Sequence, residues 1–181
     1  WYDTRNTKAY LFNPSNLAIA PKVIEDRNSQ DIYSDPGNFE MKKNQYGRYA
    51  IAVENNKAYL IGSGFTKEGQ FPFIDEMDLN TSKKNRLYTS KMKDKKEDLL
   101  SIEDIKKGEV LVMIQSKNEY PNYFFRNIKS KNKLTQITDF KNPFESLKNV
   151  YKEVIKYKRN DGVELSGTLY LPEGYDRVKK D

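Results

Sequence analysis

The chain has 181 residues, a formal net charge of +6 from 32 Lys and Arg against 26 Asp and Glu, and neither cysteine nor histidine. That length accommodates one domain with a sizeable core or part of a larger one. The missing cysteines exclude disulfides and thiolate metal sites and leave the compartment open, and no apolar run approaches the roughly 20 residues of a membrane span. The cations are mixed among acids, which reads as a solvated surface; a basic β domain that stacks nucleic-acid bases on its 13 Tyr and 9 Phe is the sharper alternative. Those aromatics sit in runs such as Tyr59-Leu60-Ile61 and Tyr123-Phe124-Phe125, where a β core would put them.

In chain order, almost every convincing segment has β character. Residues 8–13 and 22–25 form a short pair around a polar, Pro-containing loop. Residues 48–54 alternate and meet a turn at Asn55-Asn56. Then come 57–62, 71–79, a polar turn from Asn80 to Asn85, and 86–89. Residues 91–107 are charged. Leu99, Ile102 and Ile105 fall near one helical face, so a short helix ended by Gly108 is one expectation. A connection into a short strand is the preferred one. Residues 109–115, 120–128 and 134–138 continue the β series, and 142–151 reads as a linker or short helical turn.

The series contains a repeat. Residues 71–93 and 120–142 each run aromatic-Pro, strand, basic Asn/Ser-rich turn, short strand, with starts 49 positions apart. Residues 8–27 are a weaker third copy. This period suits the roughly 40–50 residues of a propeller blade, in which stacked four-stranded sheets bury each other's faces. An antiparallel sandwich with similar hairpins is the alternative.

The segment from Asn142 to Asp176 reads as two strands around Asn160-Asp161-Gly162, with a type I′ turn expected at Asp-Gly. Pro172-Glu173-Gly174 ends the second strand. The pattern EVIKYKRNDGVELSGTLYLPEGYD resembles the junction between propeller and hydrolase domain in the prolyl oligopeptidase family of serine peptidases. The stretches Lys22 to Arg27 and Asp31 to Gly37 resemble its glutamyl endopeptidase branch, including bacterial relatives labelled dipeptidyl aminopeptidases. The resemblance implies a mostly β architecture: propeller blades over 1–141, a linker at 142–151, and over 152–181 the first hairpin of an α/β-hydrolase domain. It implies a piece of a peptide hydrolase, a reading to which the start at Trp1 also points. In that family the propeller restricts access to the active site. A non-catalytic propeller or sandwich that binds protein or glycan is the alternative function.

The residues themselves offer no catalytic apparatus. The family's triad needs a Ser on a sharp turn, an acid and a His base, and the chain has no His and no G-x-S-x-G. The nearest string, Gly62-Ser63-Gly64, reads as a flexible strand end. Asp75-Glu76-Met77-Asp78 lies on a strand that sends Asp75 to one face and Glu76 and Asp78 to the other, so it reads as solvated charge and not as a calcium loop. Glu97-Asp98 and Glu103-Asp104 read the same way, as acids at a helix start. The expectation is therefore no catalytic residue, metal or cofactor in this chain. Its expected partners are the peptide substrate and the remainder of a parent protein, with self-association of uncovered blade faces and neither nucleic acid nor a membrane span.

Overall fold

A computed structural model describes residues 5–179; residues 1–4 and 180–181, the extremes of the first and last predicted segments, lie outside the described residues. The architecture is antiparallel β with no α-helix among the described residues. The chain divides into two compact units, Trp1–Phe140 and Lys141–Asp181.

The first unit opens with a hairpin of β1 (Asn6–Leu11) and β2 (Lys22–Asn28), bulged between Ala9 and Tyr10. Next come β3 (Asn38–Phe39), β4 (Met41–Lys43), β5 (Tyr49–Ile51), β6 (Val53–Glu54), β7 (Lys57–Gly62), β8 (Phe73–Asp78) and β9 (Lys84–Thr89). Sheet I has the order β3-β7-β8-β9, with β6 also paired to β7, while β4 and β5 form their own small hairpin. Sheet II is a plain meander of β10 (Lys96–Asp104), β11 (Glu109–Gln115), β12 (Asn122–Asn127) and β13 (Lys133–Gln136).

The two sheets follow one plan. Asp78 and Asn127, 49 positions apart, each end the third strand and cap the following turn. Asp78 Oδ1 accepts the Thr81 N–H, and Asn127 Oδ1 accepts the Ser130 N–H, both at 2.8 Å. The next residue then donates to the preceding hairpin turn: Leu79 N–H to the Asn56 carbonyl at 3.0 Å, Ile128 N–H to the Gly108 carbonyl at 2.8 Å.

Alternation builds the core. On β11, Val110, Val112 and Ile114 are buried while the residues between them are only partly so, as β-branched side chains on one face of a pleated strand require. They pack with Tyr59, Ile74 and Tyr88 of sheet I and Leu99 and Ile102 of β10. Each fully buried aliphatic side chain stabilises by about 1.5–3 kcal/mol relative to an exposed one.

Three local expectations need correction. Residues 91–107 hold a strand, as the preferred reading has it, but it is nine residues long and the alternative short helix is not formed. A bulge in the pairing of β10 with β11 between Leu99 and Ser101 leaves Leu100 exposed and puts Ile102 back on the inner face. The extra residue turns a spacing of two into three, which mimics a helical stripe. Residues 48–54 break into β5 and β6, because Ala52 leaves the β4 pairing and donates its N–H to the Glu40 carbonyl at 2.8 Å. Gly62 is a packed position and not a flexible end: the Phe73 ring occupies the place a Cβ would take.

The second unit has a single 3-10 turn at Glu145–Leu147, then β14 (Tyr151–Lys158) and β15 (Glu164–Leu171), paired without a slip from Tyr151↔Leu171 to Lys158↔Glu164. Its turn is not type I′. Gly162 alone has positive φ (86°), its N–H reaches the Arg159 carbonyl at 2.9 Å, and Arg159 N–H reaches the Val163 carbonyl at 2.9 Å. That is a type I turn closed by a left-handed glycine in a three-residue loop. The two-residue turn with both φ positive occurs instead at Asn55 (50°) and Asn56 (60°), between β6 and β7.

Candidate functional site

The acids read from the sequence as solvated charge separate into different fates. Asp75 points opposite to Glu76, as alternation requires, but it is buried and gripped by the Arg86 guanidinium, which also lies 3.7 Å over the Phe73 ring. Glu76 holds Lys57 at 2.5 Å. Asp78 is spent on its turn, and those hydrogen bonds keep its carboxyl below the ordinary carboxylate range. Among the described residues no three His, Cys, Asp or Glu side chains converge as metal ligands would.

Glu97 overturns its expectation most completely. It is 2 % exposed. Its Oε1 accepts the Arg126 Nε–H at 2.5 Å and its Oε2 accepts the Tyr88 hydroxyl at 2.7 Å. Arg126, 5 % exposed, donates a further bond to the Asn132 carbonyl at 2.8 Å. Burial, reinforced by the bond to Glu97, drives Tyr88 ionisation well above the usual phenol range, so the hydroxyl stays a donor. A paired and fully bonded charge of this kind is a structural tie: Tyr88 comes from sheet I, Glu97 and Arg126 from sheet II. The signal was present in the sequence. Glu97 stands two before Leu99 and Arg126 two after Phe124, so both fall on the inward register of their strands.

A second feature lies where the chain passes from β3 to β4. Glu40 donates its backbone N–H to the Tyr59 carbonyl and its own carbonyl accepts from the Ala52 N–H, both at 2.8 Å, which fixes its backbone. The residue is 8 % exposed. Carboxylate Oε1 accepts the Ile102 N–H of β10 at 3.2 Å. Burial is the main influence on this carboxyl and pushes it above the ordinary carboxylate range, against the opposing pull of the Ile102 N–H and of Lys42. Glu40 faces a cleft of about 390 Å³ whose walls include Ala52, Val53, Tyr59, Ile102 and Ile105. At the rim Lys42 sends its ammonium to the Glu103 carbonyl at 3.4 Å, and Glu54 pairs with Lys106 at 2.8 Å. Glu40 was not singled out by sequence reasoning. Its burial depends on a short strand, Asn38–Phe39, that no run of β-formers announces.

The Tyr88 hydroxyl lies 2.7 Å from Glu97, but both residues are buried within the tie between the sheets. Against known proteins, no family model matches the chain. It is similar to two chloroplast proteins named probable glutamyl endopeptidase. One, from Oryza sativa subsp. japonica, is 39 % identical over 192 residues, covering 97 % of this chain; the other, from Arabidopsis thaliana, is 37 % identical over 196 residues, covering 99 %. The chain spans about a fifth of the length of these curated relatives, 20 % of each. Among solved structures, a variant of the AtxE2 isopeptidase with Astexin3-dC4 bound matches at TM-score 0.38 and 11 % identity, over 96 % of this chain and 25 % of that one. A likeness at that level carries no structural argument.

Proposed function

We propose that this chain is a non-catalytic part of a serine peptidase of the prolyl oligopeptidase type. In this reading sheets I and II are neighbouring propeller blades, residues 142–151 are the linker, and the β14–β15 hairpin opens the hydrolase domain. The observation that carries the reading is 37–39 % identity to proteins named glutamyl endopeptidase across 97–99 % of the chain. The shared plan of the two sheets, with equivalent turns 49 positions apart, supports it independently, since packed repeats of one antiparallel unit are what a propeller is made of. The absence of His means that the imidazole base would be supplied elsewhere in the peptidase. The role of these residues is then to screen access: a rigid wall of sheets admits short or flexible peptides and keeps bulk water from the reacting bond.

The test is made on the product of the complete reading frame. Labelling by a fluorophosphonate, with cleavage of short peptides containing Glu, is the expected result. A product that takes no label and cleaves no peptide overturns the reading.

A further inference from the structure

We infer that the cleft at Glu40 is a binding site for an alkylammonium group, the side chain of a lysine in a bound peptide. The inference goes beyond the peptidase reading and does not depend on it.

Three observations converge. First, Glu40 is a charged side chain more than nine-tenths buried, and it has no ion-pair partner among the described residues. Its Oε1 is occupied by Ile102 N–H, while no described residue bonds its Oε2. Glu40 lines the cleft, so a cationic donor that enters it can bond the carboxylate oxygen that the described residues leave open. Second, the cations at the rim make their contacts elsewhere, although Lys42 acts on the Glu40 carboxyl through space. Lys42 bonds the Glu103 carbonyl at 3.4 Å, and Lys106 bonds Glu54 at 2.8 Å. Third, Ala52, Val53, Ile102, Ile105 and the ring of Tyr59 give the cleft an apolar side beside the charged Lys42 and Glu54, and its volume of about 390 Å³ is ample for an aliphatic stem.

A single open carboxylate oxygen selects the ligand's head. A guanidinium is best read by both oxygens of a carboxylate, and one is taken here. An ammonium needs only one. Its methylenes would lie against the aliphatic walls, as long cationic side chains do elsewhere. The carboxylate at this position has no counterpart in sheet II. In register, Phe39 opposite Leu60 corresponds to Leu99 opposite Val112, so the position after Phe39 is matched in sheet II by Leu100, which is 42 % exposed.

The test is an NMR titration of the 181-residue chain with Nα-acetyl-lysine methylamide. The controls are the capped norleucine analogue and a lysine-free peptide with a free amino terminus. The expected result is saturable shifts at the Ala52, Val53, Ile102 and Ile105 amides with capped lysine, and binding at least about tenfold weaker for norleucine, which lacks the charge. Glu40→Gln keeps an acceptor for Ile102 N–H and is expected to retain the native spectrum while losing capped-lysine binding by a similar factor. Equal binding of lysine and norleucine, unchanged binding in Glu40→Gln, or a response to the lysine-free peptide alone would each overturn the proposal. So would the absence of any shift with capped lysine on the unaltered chain, a result that leaves the peptidase reading untouched.

Discussion

Sheets I and II share a backbone plan and differ in what they bury. Met77 sits opposite Ala58 in sheet I; at the equivalent place in sheet II, Arg126 sits opposite Val110. Gly37 stands two residues before Phe39, and Glu97 stands two residues before Leu99. So where sheet I has a methionine and a glycine, sheet II has an arginine and a glutamate in contact. The first solution is close packing. Met77 is fully buried, and the Gly37 Cα lies so near the Ile61 carbonyl that an added Cβ would be 2.3 Å from its oxygen. The second is a desolvated ion pair, which stabilises only when both members and their remaining bonds are present. A flexible apolar side chain accepts many neighbours, whereas a buried charge accepts few. Sheet II thus specifies its neighbour chemically, and Tyr88 of sheet I answers that specification.

The comparison breaks most forcefully at Glu97. Glu97→Ala leaves Arg126 buried without its anion and is expected to cost about 3–5 kcal/mol in urea unfolding. The double change Glu97→Leu with Arg126→Met gives sheet II the apolar solution of sheet I and is expected to recover most of that loss. If the double variant is as unstable as Glu97→Ala, the equivalence of the two sheets fails. Gly37→Ala attacks the other solution. With φ at +82° and the Ile61 carbonyl in the way, it is expected to cost about 1–3 kcal/mol, read by the same unfolding experiment. Tyr88→Phe removes the sheet I donor to Glu97 and is expected to cost about 1–3 kcal/mol, since the carboxylate oxygen it leaves is buried.

The smallest effect is at Glu40 and has a pH signature. Because burial raises this carboxyl, the folded chain holds its proton to higher pH than the unfolded chain does. Its contribution to stability is then fully present below the unfolded value and is lost as pH rises through the raised folded value. The groups acting on it are Lys42, Glu103 and the Ile102 N–H. Glu40→Gln is expected to give a slightly higher Tm than the parent at pH 7, with the gain vanishing below roughly pH 4, where the carboxyl is protonated in both states. A variant less stable than the parent at pH 7 would mean that the ionised carboxylate is needed for folding.

Strands with regular alternation were legible from the residues alone. The runs 57–62 and 109–115 are β7 and β11 to the residue, and the turns at Asn55-Asn56 and Asn160 to Gly162 lie where turn chemistry places them. What the local pattern concealed lies at its interruptions. The bulge at Leu99 to Ser101 gave β10 a helix-like stripe that competed with its strand reading, and the crossing at Glu40 hid β3 and β4, which are too short to show a period. Glu97 and Asp75 looked like surface charge because residue type argues for solvent, and only their partners reverse that preference. Glu97 and Arg126 lie 29 positions apart, so that partnership is a tertiary fact.

In the function proposed for this chain, these sheets form a rigid screen before a peptidase site. The most direct test compares hydrolysis of a short Glu-containing peptide and of a folded protein by the product of the complete reading frame, unaltered and carrying Tyr88→Phe. Strong preference for the short peptide is expected of the unaltered product, and a narrowed preference with peptide cleavage retained when the tie between the sheets is loosened. An unaltered product that cuts folded proteins as readily as short peptides, or that cuts neither, would contradict the proposed function.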